Sequence, residues 1–270
     1  MAIFFKHLCC TFFNMDMDML EIYSMILVSA GDSIGARLIE EAGFGGCWVS
    51  GFEATARLGL PDNGSITLTE MLNITKPIVD ATDLPVYVDV DTGYGNFERT
   101  VREFENIGVA GVCIEDVEPS YKQNSLWGDK VPLMDKERFA EKIFVPHKLN
   151  IIARTEAFVR GYGSIEALTR LELYKEAGAD MLFPHSRTEP LKVPFNTQCF
   201  VVAPTKFPQY TNQSLYDMGY SMIIWANQTE RTKIKAVREM LACLKKHDRM
   251  LEAEQGLCAT LDDMRGLTCG

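Results

Sequence analysis

The chain has 270 residues, a length that suits one large α/β domain, and its 27 Lys and Arg against 37 Asp and Glu give a formal net charge of -10. With 47% hydrophobic and 24% charged residues the composition is that of a globular chain, which excludes disordered, collagen-like and solenoid organisation. The acidic balance repels nucleic acid and anionic membranes, so a small anionic substrate would need local cations or a metal to hold it.

Residues 1–24 are apolar but interrupted by Lys6, His7, Asp16 and Asp18, with no small-residue cleavage site. They read as an N-terminal arm or helix that packs on the domain or on a partner subunit, not as a signal peptide. No uninterrupted apolar run reaches the roughly 18 residues that a membrane span needs.

From Met25 onward, short apolar runs recur: Met25 to Ala30, Gly46 to Ser50, Pro85 to Asp91, Gly111 to Asp116, Asn150 to Arg154, Asp180 to His185, Cys199 to Pro204 and Tyr220 to Asn227. Their length and β-branched content predict eight strands. Segments 33–44, 67–82, 96–108, 135–143, 164–178 and 231–246 carry apolar residues at helical spacing. Gly43, Gly108, Gly178 and Gly219 each close a helical stretch two or three residues before a strand, the place where a left-handed residue ends a helix. Alternating strands and helices ask for a parallel sheet. The first strand is followed by no G-x-G-x-x-G turn, so the expected fold is a (β/α)8 TIM-type barrel over 25–247 with a C-terminal helical extension over 248–270.

Eight cysteines are scattered without a C-x-x-C pair, and the four histidines stand far apart, so no zinc spacing is present. Cys47, Cys113 and Cys199 fall in apolar runs and read as buried free thiols, which fits a reducing cytoplasm.

In a parallel barrel the active site lies at the carboxyl ends of the strands. The polar residues there are Ser50, Asp89, Asp91, Glu115, Asp116, Arg154, Glu156, His185, Ser186, Thr205, Lys206 and Asn227. Acids ending two successive strands converge and repel unless a cation sits between them, and with no competing His or Cys the natural occupant is Mg2+. The same acids also read as helix caps or ion-pair partners, Asp116 above all. Arg154 and His185, on later strands, suit an anionic substrate bridging metal and arginine, or else an ion pair with Glu156 or Glu115 and a satisfied structural histidine.

The segments WVSGFEATARLGLPD, VDVDTGYGNF, GVAGVCIEDVEPSYKQNS, IIARTEAFVRGYGSIEAL, YKEAGADMLFPHS, VAPTK and GYSMIIWANQ together resemble the phosphoenolpyruvate mutase and isocitrate lyase superfamily over roughly residues 25–245. The resemblance implies a (β/α)8 barrel that binds Mg2+, with Mn2+ as substitute, and a small keto or enol acid. It also implies a homotetramer whose neighbouring subunits exchange the last barrel helix. Carried over, Asp89, Asp91 and Glu115 match the metal acids, with Asp62 acting through water. Trp48, Ser50, Gly51 and Phe52 match the turn that holds the substrate's carboxylate and carbonyl, and Arg154 and His185 face the transferred group.

Where lyases of the superfamily carry K-K-C-G-H, this chain reads Lys122-Gln123-Asn124-Ser125, which resembles the mutase gating loop. The resemblance implies phosphoryl transfer assisted by Asn124, Lys122 and Ser125, with phosphonopyruvate hydrolysis or carbon–carbon cleavage and decarboxylation as alternatives. The loop departs from the mutase pattern by one extra residue and by Val117 in place of a lysine. Val28-Ser29-Ala30-Gly31 replaces the usual E-A-H, and L-G-L-P-D-N-G is closer to lyases and decarboxylases.

Overall fold

The computed structural model describes residues 25–128, 130–193 and 199–268, so the expected N-terminal arm, Cys9, Cys10 and Cys269 lie outside the described residues. Eight parallel strands close into one barrel in sequence order: β1 (Met25–Ser29), β2 (Gly46–Val49), β3 (Val86–Asp89), β4 (Gly111–Glu115), β5 (Asn150–Thr155), β6 (Met181–Pro184), β7 (Cys199–Val202) and β8 (Tyr220–Trp225). β8 pairs back onto β1, with Met25 opposite Met222.

The helices are α1 (Ser33–Glu41), α2 (Gly51–Arg57), α3 (Leu68–Asp80), α4 (Phe97–Asn106), α5 (Lys136–Ile143), α6 (Ser164–Glu176), α7 (Asn212–Tyr216), α8 (Gln228–His247), α9 (Leu251–Gly256) and α10 (Leu261–Gly266). Caps fix several starts: Asp32, Thr67, Asn96 and Asp135 each accept a main-chain N–H from the following turn. Gly43, Gly108, Gly178 and Gly219 all have positive φ, as the helix-ending role requires.

Strand alternation divides the core in two. Leu27, Trp48, Tyr87, Cys113, Ile152, Met181, Val201 and Met222 fill the barrel interior. Their sequence neighbours Val49, Val86, Val88, Val112, Ile114, Ile151, Ala153 and Ile223 pack outward under the helices. Counting on by two along each strand from the interior residues reaches Ser50, Asp89, Asp91, Glu115, Arg154, Glu156, His185 and Thr205. The period of 2 therefore aims these side chains at the carboxyl-end rim, where strand pairing stops and polar groups can face a pocket.

Asp116 has the opposite phase. Its carboxylate accepts from Thr155 Oγ1 (2.8 Å), the Glu156 main-chain N–H (2.8 Å), Arg170 Nη1 (3.1 Å) and Tyr174 OH (2.7 Å). It is a buried bracket between β5 and α6, and burial raises it above the usual carboxylate range despite these donors. Cys47 and Cys113 are buried free thiols, with Cys47 pushed up to about 12 by burial and Cys113 well above its ordinary value for the same reason. Cys199 is only partly buried. No helix among the described residues is long and apolar enough to cross a membrane.

Candidate active site

A cavity of about 60 Å³ opens at the carboxyl rim. Trp48, Ser50 and Phe52 line it from β2 and α2, Asp62 and Asp89 from the acidic side, Lys122, Asn124, Ser125 and Leu126 from the loop after β4, and Arg154 and His185 from β5 and the end of β6. Phe183, Ala203, Thr205, Ile224, Ala226 and Asn227 form the far wall. Gly51 brings the β2–α2 turn against the acids, since a Cβ there would stand 3.1 Å from Asp91 Oδ1.

Of the acids expected to hold a metal, Asp62, Asp91 and Glu115 surround Lys122, whose ammonium enters the space between them, while Asp89 faces Arg154. Lys122 Nζ lies 3.3 Å from Asp62 Oδ1, 3.2 Å from Asp91 Oδ1 and 3.4 Å from Glu115 Oε1. Burial pulls the ammonium down, but Glu115, Asp91, Asp62 and Asp89 outweigh it and hold Lys122 well above its ordinary value. Burial pushes Asp91 up to about 6 and Glu115 up to about 8.

Asp91 Oδ2 is buried with no hydrogen-bond donor among the described residues, and the Glu115 oxygens are met by ion pairs to Lys122 and Arg154, not by aligned hydrogen bonds. Such a hard, under-satisfied oxygen set fits a divalent cation. Among the described residues no three or more acidic, His or Cys side chains are grouped to hold an ion on their own. A cation placed there would be held by few carboxylates and several waters, the mode that Mg2+ favours.

Arg154 is the hub of the opposite side. Its guanidinium reaches Glu156 Oε1 (2.6 Å), Glu115 Oε2 (2.9 Å), Ser125 Oγ (2.8 Å) and Asp89 Oδ2 (3.6 Å). Both ion pairs raised by the sequence, with Glu156 and with Glu115, are thus present within the site. His185 Nδ1 lies 2.7 Å from Glu156 Oε1 and 3.2 Å from Ser125 Oγ. Because a carboxylate only accepts, Nδ1 carries the proton. Burial and the Arg154 charge depress His185, so the ring stays neutral and its other nitrogen keeps a lone pair. Burial opposes ionisation of Glu156, yet Arg154, His185 and Arg160 hold it well below the carboxylate range.

Asn124 donates from Nδ2 to Asp62 Oδ2 (2.5 Å) and accepts at Oδ1 from the Leu126 main-chain N–H (2.9 Å), so its amide is held at both ends. The loop closes over this arrangement. Trp127 stands edge-on to Phe52, with centroids 5.5 Å apart, and Val117, which replaces the lysine of the mutase pattern, is fully buried and bridges to Leu133. At the end of β1, Ser29 Oγ donates to Glu53 Oε1 (3.0 Å), and neither residue lines the cavity. Glu156 is the site residue whose part was least legible: its strand-end position marked it, but not that one carboxylate serves both Arg154 and His185.

A closed parallel barrel with opposed acids and cations at its carboxyl rim defines a TIM-type enzyme scaffold. The family described as phosphoenolpyruvate phosphomutase matches residues 20–245, and the chain belongs to that family, within the phosphoenolpyruvate mutase and isocitrate lyase superfamily. It is 33% identical over 234 residues to a phosphoenolpyruvate phosphomutase of Tetrahymena pyriformis, covering 79% of this chain and 76% of that protein. It is 31% identical over 253 residues to a phosphonopyruvate hydrolase of a Variovorax strain, covering 85% of each. A 2-methylisocitrate lyase of Bacillus subtilis is 35% identical over 237 residues, 83% of this chain and 78% of that one. Among solved structures, a phosphoenolpyruvate phosphomutase of Streptomyces platensis subsp. rosaceus superposes with TM-score 0.85 at 33% identity over 90% of both chains. A phosphonopyruvate hydrolase complexed with oxalate and Mg2+ superposes with TM-score 0.80 at 28% identity, covering 90% of this chain and 89% of that one. Family members are thus enzymes of three reaction types on one scaffold.

Proposed function

We propose that the chain is a phosphoenolpyruvate mutase, an isomerase that interconverts phosphoenolpyruvate and phosphonopyruvate. The observation that carries this reading is Asn124, held at the cavity beside Ser125 and Arg154 while none of the cavity's described lining residues is a cysteine. Thiol-based proton transfer has no candidate there, whereas a phosphoryl group passing through a loose transition state needs donors around its oxygens and no nucleophile from the protein.

Asp89, Asp91 and Glu115, with Asp62 through water, would hold Mg2+ or Mn2+, which supplies Lewis-acid stabilisation of developing negative charge. The substrate carboxylate and carbonyl sit against Trp48 and the Ser50–Phe52 turn, where the first main-chain N–H groups of α2 lack partners within the helix. The carbon–phosphorus bond breaks, its electron pair stays on pyruvate as the enolate, and Arg154, Asn124 and Ser125 hold the departing phosphoryl oxygens. The enolate oxygen then forms the new bond to phosphorus. Lys122 closes over the acids, and His185, neutral and oriented by Glu156, lies against the migrating group. Leu126 and Trp127 on the closed loop keep water from competing.

The reading extends to a cytoplasmic homotetramer with α8 exchanged between subunits, supported by the buried free thiols and by an apolar stripe exposed along α8. 31P NMR of the protein with Mg2+ and phosphonopyruvate tests the reaction: the phosphoenolpyruvate resonance is expected. Inorganic phosphate with pyruvate establishes a hydrolase instead. Inertness to phosphonopyruvate with turnover of oxaloacetate or a substituted malate establishes a lyase or decarboxylase.

A further inference from the structure

Three consecutive functional contacts leave one short segment. Lys122 goes to the acids, Asn124 to Asp62, and Ser125 to Arg154 and His185. For these side chains to reach three different targets, the main chain between them must be fixed, and the residue in the middle is Gln123. Its carbonyl accepts a hydrogen bond from Arg160 Nη2 at 2.7 Å. Arg160 follows β5, and its side chain is wholly buried.

The same guanidinium faces the catalytic side. Arg160 Nε lies 3.5 Å from Glu156 Oε2, while Glu156 Oε1 receives Arg154 and His185. One carboxylate therefore has an oxygen turned to the loop anchor and an oxygen turned to the two residues that meet the substrate. We propose that Arg160 is a positioning residue: it pins Lys122–Ser125 over the pocket through Gln123 and ties that closure to the orientation of Arg154 and His185 through Glu156.

The physical basis is that a buried cation must keep acceptors. With the segment closed, Arg160 donates a charge-assisted hydrogen bond to the Gln123 carbonyl and stands in an ion pair, without an aligned hydrogen bond, with Glu156. With the segment lifted, the Gln123 carbonyl is withdrawn and the guanidinium is freer to turn toward Glu156, in competition with Arg154 and His185. Closure and alignment of the site thus become one event.

Trp127 provides the readout, because it rests on Phe52 only while the segment is down and is 54% exposed even then. Acrylamide quenching is measured with Mg2+ and oxalate as a non-reacting probe. Each protein is compared with its Trp127→Phe counterpart, so that the Trp48 and Trp225 signals cancel. Arg160→Met is expected to raise the Trp127 quenching constant about two-fold or more. It is also expected to lower kcat about 10-fold or more with KM within about three-fold, the split that marks loss of alignment over loss of binding. Arg160→Lys keeps the charge beside Glu156 without the fork, shifts the same way, and decides the matter if the Met variant does not fold. A folded variant with wild-type quenching of Trp127 overturns the inference. Only the kinetic arm rests on the proposed reaction: a wild-type protein without mutase activity would remove that reaction and leave the quenching comparison standing.

Discussion

At the scale of single residues, the proposed reaction turns on Asn124. Its amide is anchored by Asp62 and by the Leu126 N–H, so its removal takes away a preset dipole and leaves a loop that Arg160, Ser125 and Trp127 still hold. Asn124→Ala is expected to lose on the order of 3 kcal/mol of transition-state stabilisation, roughly 100-fold in interconversion, as when one oxyanion donor is deleted. Affinity for oxalate with Mg2+, measured by calorimetry, should change little because the Ser50–Phe52 turn, Asp89, Asp91 and Glu115 make no hydrogen bond to Asn124, and Asp62 keeps its ion pair to Lys122. Interconversion at the wild-type rate would take Asn124 out of the mechanism. Most of this site was legible because the chemistry sits on strand ends: Asp89, Glu115, Arg154 and His185 each follow an interior residue by two. What the sequence could not show was where the loop would land. No periodicity places Lys122 between Asp62, Asp91 and Glu115, or tells that Glu156 holds Arg154 and His185 together, because both depend on long-range closure.

At the scale of elements, Asp116 shows how one strand phase separates structure from chemistry. It follows Glu115 directly, yet it faces α6 and gathers Thr155, the Glu156 N–H, Arg170 and Tyr174. Arg170 Nη1 also donates to the Met134 carbonyl (2.9 Å), so the network joins the end of β4, β5, the segment before α5 and α6. Asp116→Ala leaves Arg170 with only the partly exposed Glu166 as its carboxylate and strips the Thr155, Glu156 N–H and Tyr174 donors of their buried acceptor, and it is expected to cost about 3–5 kcal/mol in urea unfolding. Tyr174→Phe, which removes one hydroxyl donor, should cost only about 1 kcal/mol. Similar values for the two would mean that the ion pair is not the support. Each of the eight expected strands forms; β3, β4 and β6 end earlier than their apolar runs, because Asp91, Asp116 and His185 lie past the last strand residue, whereas β5 runs one residue longer, to Thr155. The two helices without a clear sequence signal, α2 and α7, have seven and five residues. They are too short for a helical period to stand out, and α2 was masked by the turn chemistry of Ser50 and Gly51.

At the scale of the whole molecule, α8 does not behave as a barrel helix. It has 20 residues and buries none of them. Its first turns are tied to the barrel, Thr229 to Ser29 and Lys233 to Asp32, but beyond them Ile234, Val237, Leu241 and Leu244 run exposed along one side at spacings of three, four and three. α1 shows a matching lack of cover at Ile34 and Leu38. A stripe of this kind is the seam of a helix with a partner, and a second copy of the chain offers both a stripe and an uncovered α1. Pairing two copies buries eight stripe side chains, on the order of 12 kcal/mol of transfer energy at about 1.5 kcal/mol each, against association costs of comparable size. Such a balance is tipped by one or two buried charges. Light scattering after size exclusion should find the wild-type chain at a multiple of the single-chain mass. Val237→Glu with Leu241→Glu should shift it to one chain while the circular dichroism of the barrel is retained. A wild-type chain that elutes as a monomer at micromolar concentration would show that α8 makes no such pairing and would remove the tetramer from the proposed function.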